Sequence, residues 1–181
     1  MKSVLISIQP KWCDLISKGK KTIEVRKTKP KLETPFKVYI YCTGKDYNNV
    51  FCVDKFMHKV FLDEKAKRKV IGEFFCDEIF PISIYYSDVG SRLAFKEFPY
   101  TCLTDKQIID YLGNGNKGYG WHISNLLIYD EPKSITDFSR KKMVNSYTTE
   151  WNIKGIVHYP KKEIVFEEIK TPPQSWCYVE E

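Results

Sequence analysis

The chain has few histidines and lacks the closely spaced ligands from which structural zinc sites are built. Of its 181 residues only three are histidine (His58, His122 and His158), and they lie far apart. The six cysteines (Cys13, Cys42, Cys52, Cys76, Cys102 and Cys177) include no Cys-x-x-Cys pair. Structural zinc is held by closely spaced ligands, so no metal and no cofactor are predicted. No run approaches the roughly 20 apolar residues that a membrane span requires. The N-terminus carries one lysine and no long apolar stretch, so no signal peptide is read there. A chain of this kind is expected in the cytoplasm, with reduced thiols acting as small core residues and no membrane partner. Internal repeats, low-complexity tracts and a linker are also missing, so residues 1–181 are read as one domain.

What is present is ordinary in bulk. Hydrophobic residues make up 43% and charged residues 29%, as in globular proteins, so a sizeable core is within reach. Lys and Arg number 29 against 23 Asp and Glu, a net charge of +6. That balance suits an anionic partner such as RNA or DNA, although many basic proteins have none. Aromatics at 15% are numerous enough to fill a β-rich core or to offer stacking faces for bases.

The most informative stretch is Gly19-Lys20-Lys21-Thr22-Ile23-Glu24-Val25-Arg26. Apolar Ile23 and Val25 alternate with Thr22, Glu24 and Arg26, the period of a strand with one polar face. Before it, Val4 to Ile8 reads as a strand with a polar break at Ser7. Pro10 suits a first helical turn, and Trp12, Leu15 and Ile16 share a helical face that Gly19 closes. Lys11 points away from that face and is a candidate contact for anions. The order strand, short helix, strand therefore ends on Lys21, Glu24 and Arg26. Three readings fit this trio. It is an ion pair ordering the turn; or it binds, with Lys21 and Arg26 on a phosphate or base edge and Glu24 accepting from an exocyclic amine; or it is catalytic, with Glu24 as general base or Lys21 as nucleophile.

The rest of the chain reads largely as strands. Residues 28–35 form a basic loop, and Phe36 to Thr43 alternates cleanly as a strand. Residues 44–66 are an insertion, with a helical stretch near 54–61. A long β segment covers 67–80 and a short one 82–86; residues 87–100 show no period. Thr104 and Gln107 make a capping box for a helix with Ile108, Ile109 and Leu112 on its apolar face, ended by Gly113. Residues 113–120 are glycine-rich, an ordinary loop or one that folds over a nucleotide, without the order of a P-loop. Residues 121–129 read as one strand carrying Trp121, His122 and Ser124, ended by Glu131-Pro132. With Tyr119, these supply candidate stacking and phosphate contacts. A helical turn is read at 134–138. Residues 139–160 are a second insertion or an embellished hairpin, 163–167 an edge strand, and 175–179 the last strand after the bend at Pro172-Pro173.

The run Gln9-Pro10-Lys11-Trp12 followed by Gly19, Lys21, Glu24 and Arg26 resembles the Gly-x-Lys-x-x-Glu-x-Arg signature of the ASCH (ASC-1 homology) family. Val70-Ile71-Gly72-Glu73-Phe74 looks like a central strand of that fold. Tyr119 to Ile123 and Pro172 to Val179 are similar to segments of phage-associated and Firmicute-type members. The resemblance implies an α+β, mainly β, fold: a PUA-like mixed β-barrel with short peripheral helices. It also implies an RNA, nucleotide or modified-nucleoside partner. The binding residues it suggests are Lys11, Gly19, Lys21, Thr22, Glu24, Arg26, Tyr119, Trp121, His122 and Ser124. Some members hydrolyse an acetylated cytidine and others behave like nucleases, so Lys21 and Glu24 are the candidate catalytic pair. In the small amidohydrolase members a threonine matches Glu24 and acts with the lysine matching Lys21; here only the lysine carries over. An interaction adaptor is the remaining alternative. Oligomeric state is left open.

Overall fold

A computed structural model describes residues 2–44, 66–87, 90–94, 98–113 and 117–180. Strand β1 (Lys2–Ile8) is buried on both faces, with Val4, Leu5, Ile6 and Ile8 almost fully covered. A strand covered on both sides belongs inside a sheet. Accordingly β1 runs parallel to β3 (Phe36–Cys42) and antiparallel to β11 (Trp176–Glu180). Alternation sends Val4, Ile6 and Ile8 with Val38 and Ile40 into the larger core, and Leu5 with Tyr39 and Tyr41 into a second one. The sheet is extended by β4 (Lys69–Cys76) and β8 (Ser124–Lys133) on one side. On the other it continues into β9 (Ser139–Asn152) and β10 (Gly155–Glu168).

Between β1 and β3 lies helix α1 (Pro10–Ser17), which buries Cys13 and Ile16. Its end is a Schellman turn. The N–H of Gly19 donates to Ile16 O (2.8 Å) and that of Lys20 to Leu15 O (2.9 Å), with Gly19 at φ +66°. An L side chain is disfavoured there, and glycine is not. The turn feeds β2 (Ile23–Arg26), the edge of a second sheet formed with β7 (Lys117–His122), β5 (Ile79–Ser87) and β6 (Gly90–Ala94). Helix α2 (Asp105–Leu112) lies against this sheet through Ile108 and Leu112. Its capping box is formed as read from sequence, with Gln107 N–H donating to Thr104 Oγ1 and Thr104 N–H to Gln107 Oε1. No helix among the described residues is long and apolar enough to cross a membrane.

The mainly β class and the two short helices agree with the sequence reading. Several details do not. Among the described residues the two ladders stay separate, so the barrel is two packed sheets without a closed circuit of hydrogen bonds. The chain passes from one sheet to the other at corners. One is Asp77-Glu78, which splits the segment 67–80 between β4 and β5. Another is Ile123, whose N–H donates to Thr22 O, splitting 121–129 between β7 and β8. Strand β8 then runs through Pro132 to Lys133. Residues 90–94 are a strand although their sequence shows no period, and 98–101 are a 3-10 turn. The turn at Ile135–Asp137 is present. The insertion at 139–160 is the hairpin β9–β10, and 163–167 belong to its outer strand. Residues 45–65, including the helical stretch read near 54–61, lie outside the described residues.

The glycine-rich segment is not a phosphate loop at its C-terminal end: residues 117–120 are strand β7. The reason for Gly118 is packing. A Cβ there would stand 2.5 Å from Leu112 Cδ2 and 3.2 Å from Arg26 O. Gly118→Ala should therefore cost about 1–3 kcal/mol of stability by chemical denaturation, as overpacking does. A loss confined to a few tenths would contradict this role.

Candidate functional site

Strand β2 is buried along its whole length, so its polar residues are inside the molecule. Lys21, Glu24 and Arg26 are 2%, 6% and 7% exposed. A buried charge persists only when it is paired and hydrogen-bonded. Lys21 Nζ donates to Ile23 O (2.7 Å) and Thr101 O (2.8 Å) and pairs with Glu24 Oε2 at 3.2 Å. An ammonium has three N–H groups, and three acceptors face it. The other carboxylate oxygen, Oε1, takes Arg26 Nη2 at 3.0 Å, and the same Nη2 donates to Ser7 O at 2.6 Å. Arg26 Nε–H has no acceptor among the described residues. Glu24 is thus a carboxylate clamped between two cations, and the array carries one positive charge that it does not itself neutralise.

This array lines a cavity of about 900 Å³. The cavity opens where the C-terminal ends of β1 and β3, the start of α1, helix α2 and the bend at 172–174 converge. Trp12 and Tyr41 supply aromatic wall, and Tyr111, Gln107, Gln174 and Arg68 stand at its more exposed margin. Burial pushes the Tyr41 phenol up, partly opposed by the nearby Arg68 charge. Arg68 sits at φ +59° beside Gly44, where a Cβ would lie 2.6 Å from its Nε. The glycine leaves room for the guanidinium to lie across the backbone.

Solved structures share this arrangement of strands. The ASCH protein of Zymomonas mobilis is 17% identical over 74% of this chain and 73% of its own, with a TM-score of 0.50. A tyrosine-to-phenylalanine variant of that protein is 17% identical over 75% and 77%, also at 0.50. A serine-to-alanine variant is 14% identical over 98% of this chain and 88% of that one, at 0.55. The fold is the ASCH fold. No family model matches the sequence, and no curated protein does.

On this ASCH fold the residues singled out in the sequence separate into two groups. Lys21, Glu24 and Arg26 meet in the cavity. Gly19 shapes the turn that delivers them. Lys11 is exposed on α1, its Nζ 4.8 Å from the centre of the Trp12 ring, and Trp12 rather than Lys11 lines the cavity. Thr22 is tied by its backbone to Tyr100 O and Ile123 N and does not line it. Tyr119 lies under Lys29 on β7, away from the cavity. Trp121 is fully covered, wedged between Phe36 and Trp176 with ring centroids 5.9 Å from each. It is core, not a stacking platform. His122 and Ser124 face elsewhere: His122 Nδ1 lies 2.6 Å from Asp77 Oδ1, and Ser124 Oγ donates to Phe75 O. For Asp77, desolvation by burial raises the carboxyl, but hydrogen bonding and the charge of His122 outweigh it and hold it below its usual range.

Of the segment expected to border the cleft, 113–120, residues 113 and 117–120 do not line the cavity and 114–116 lie outside the described residues; α2 and the bend at 172–174 border it. The overlooked contributors are Ser7, Tyr41, Arg68, Gln107, Tyr111 and Gln174. Ser7 left a signal as the polar break in an apolar strand. The others left none, because each is an ordinary polar or aromatic residue brought in from a distant part of the chain.

Proposed function

We propose that the chain is a cytoplasmic ASCH-type domain, of the phage and Firmicute kind, that binds RNA or a nucleotide in this cavity. The observation that carries the reading is the Lys21–Glu24–Arg26 array with its surplus positive charge, set at the base of a cavity with Trp12, Tyr41 and Tyr111 beside it. A buried positive surplus attracts an anion, and a phosphate brings one. Aromatic walls suit a base, since every base offers a face for stacking. Binding fits this geometry better than turnover. Each N–H of Lys21 has an acceptor, and both Glu24 oxygens are held by cations, so neither group is poised as a nucleophile or base. The cysteines among the described residues are free, in keeping with a reducing compartment.

The test is a fluorescence-polarisation titration with short single-stranded RNA, duplex RNA and DNA at low and moderate salt. Binding should weaken with salt, and Arg68→Ala should reduce the slope of log K against log salt by about 0.7 for a single strand. Arg26→Ala should abolish binding; because it also removes a buried charge, its folding is checked by circular dichroism. Binding unchanged in both variants, or no binding at low salt, would overturn the reading. RNA or acetylated-cytidine turnover that survives Arg68→Ala and is lost in Glu24→Gln would assign the site to hydrolysis.

A further inference from the structure

Strands β9 and β10 pair from Ser139↔Glu168 to Asn152↔Gly155, but the ladder from β9 to β11 is the single pair Ser139↔Glu180. The hairpin therefore leaves the sheet as a two-stranded arm, roughly 45 Å long at about 3.3 Å per residue. Such a ribbon is at best marginally stable in water unless something covers an apolar face.

The register shows which face that is, because directly opposed residues point the same way. Phe166, Ile164, Met143, Tyr147, Trp151 and Ile156 share one face, exposed from 50% at Ile156 to 79% at Trp151. Between Lys141 and the tip this face carries no carboxylate. Lys141 itself is paired with Glu180 at 3.1 Å. The opposite face is the more polar one: Arg140 and Lys142 clasp Glu167 and Lys161 pairs with Glu163, with Tyr159 and Val165 as its exposed large hydrophobics.

We propose that the apolar face of this arm packs against the same face of a second copy of the chain. Six large side chains this exposed present on the order of 800 Å², more than the largest patch on a typical monomer and equal to one side of a standard interface. Beyond Lys141 the one lysine on this face is Lys162, opposite Asn145, and with no carboxylate and a mostly apolar surface the face is compatible with itself across a twofold axis. It is a poor match for nucleic acid, which needs clustered cations for the phosphates. Edge-to-edge growth is discouraged because Pro160 in the outer strand β10 has no N–H to offer. Stacking the two arms face to face converts two marginal ribbons into a two-layer sandwich.

Sedimentation velocity from low to high micromolar protein tests this. Wild type should sediment at twice the 21.3 kDa of one chain. Tyr147→Glu with Trp151→Glu should raise the dimer dissociation constant by about thirtyfold or more, as loss of a hot-spot aromatic does, with an unchanged circular dichroism spectrum. If that double variant fails to fold, Trp151→Ser is used in its place. Glu150→Lys, on the opposite face, should leave the dimer intact. A wild type that is monomeric throughout, or a dimer indifferent to these changes, would overturn the proposal. A monomer whose RNA affinity falls in the Tyr147 and Trp151 variants would overturn it too, and would assign the face to nucleic acid.

Discussion

Lys21→Met should lower folding stability by about 3–5 kcal/mol in urea denaturation, the largest loss expected for any single charge in the chain. Methionine keeps much of the stem's volume but removes the ammonium. Ile23 O and Thr101 O then lose their donor, and Glu24 is left with Arg26 alone. Buried acceptors without partners and a half-compensated buried carboxylate are both costly. An exposed lysine makes the comparison. Lys18 pairs with Asp14 at 2.9 Å but is 47% exposed, so Lys18→Met should fall within about 0.5 kcal/mol of wild type. Similar losses for the two variants would show that the Lys21 array does not hold this part of the fold together. For a domain whose whole stability is about 5–15 kcal/mol, the Lys21 loss leaves little margin, so binding assays on this variant need a parallel measure of the folded fraction.

Trp121→Ala should cost about 3–5 kcal/mol as well, yet leave the nucleic-acid binding proposed for the folded protein unchanged. Its ring fills the space between Phe36 and Trp176 where the two sheets meet, and none of it reaches the cavity. Trp12→Ala should do the reverse. Trp12 is half-buried on α1 and lines the cavity, so its loss should weaken the proposed RNA binding by about 1–3 kcal/mol with a smaller effect on stability. The pair of variants separates the two tryptophans by thermal unfolding against polarisation titration. If Trp121→Ala weakened binding at full occupancy of the folded state, the assignment of that ring to the core alone would fail.

These two tryptophans also show how far the chain was legible. Both occur next to motif residues, and spacing treats them alike. Trp12 falls on the helix face read as apolar, but the helix buries Cys13 and Ile16 most deeply and leaves its tryptophan at the cavity. Trp121 sits in a glycine-flanked strand, a context that suits exposure and burial equally well. What distinguished them was the position of β7 beneath the main sheet. His122 and Ser124 were misplaced for a related reason. The chain turns at Ile123 from one sheet to the other, so residues counted along one strand belong to two, and their side chains bond Asp77 and Phe75 O outside the cavity.

The features readable in advance rest on interactions between near neighbours. Pro10, Gly19, the period of 22–26 and the Thr104/Gln107 box each act within a few residues, so the helix α1, its turn, strand β2 and the cap of α2 follow from local chemistry. That chemistry also placed Lys21, Glu24 and Arg26 together, since their spacing puts them at one turn and on one strand. Whether the trio would be a solvated ion pair or the charged base of a cavity depended on long-range assembly. Burial is imposed by Ser7 from β1, Thr101 before α2 and the bend at 172–174, segments separated from β2 by up to most of the chain. The same holds for Gly118, whose glycine answers to Leu112 and Arg26, and for the arm, whose apolar face emerges only from the register of β9 on β10. Neighbour spacing carries no information about which distant backbone will close over a charge, and that closure turns a short charged motif into the base of a cavity.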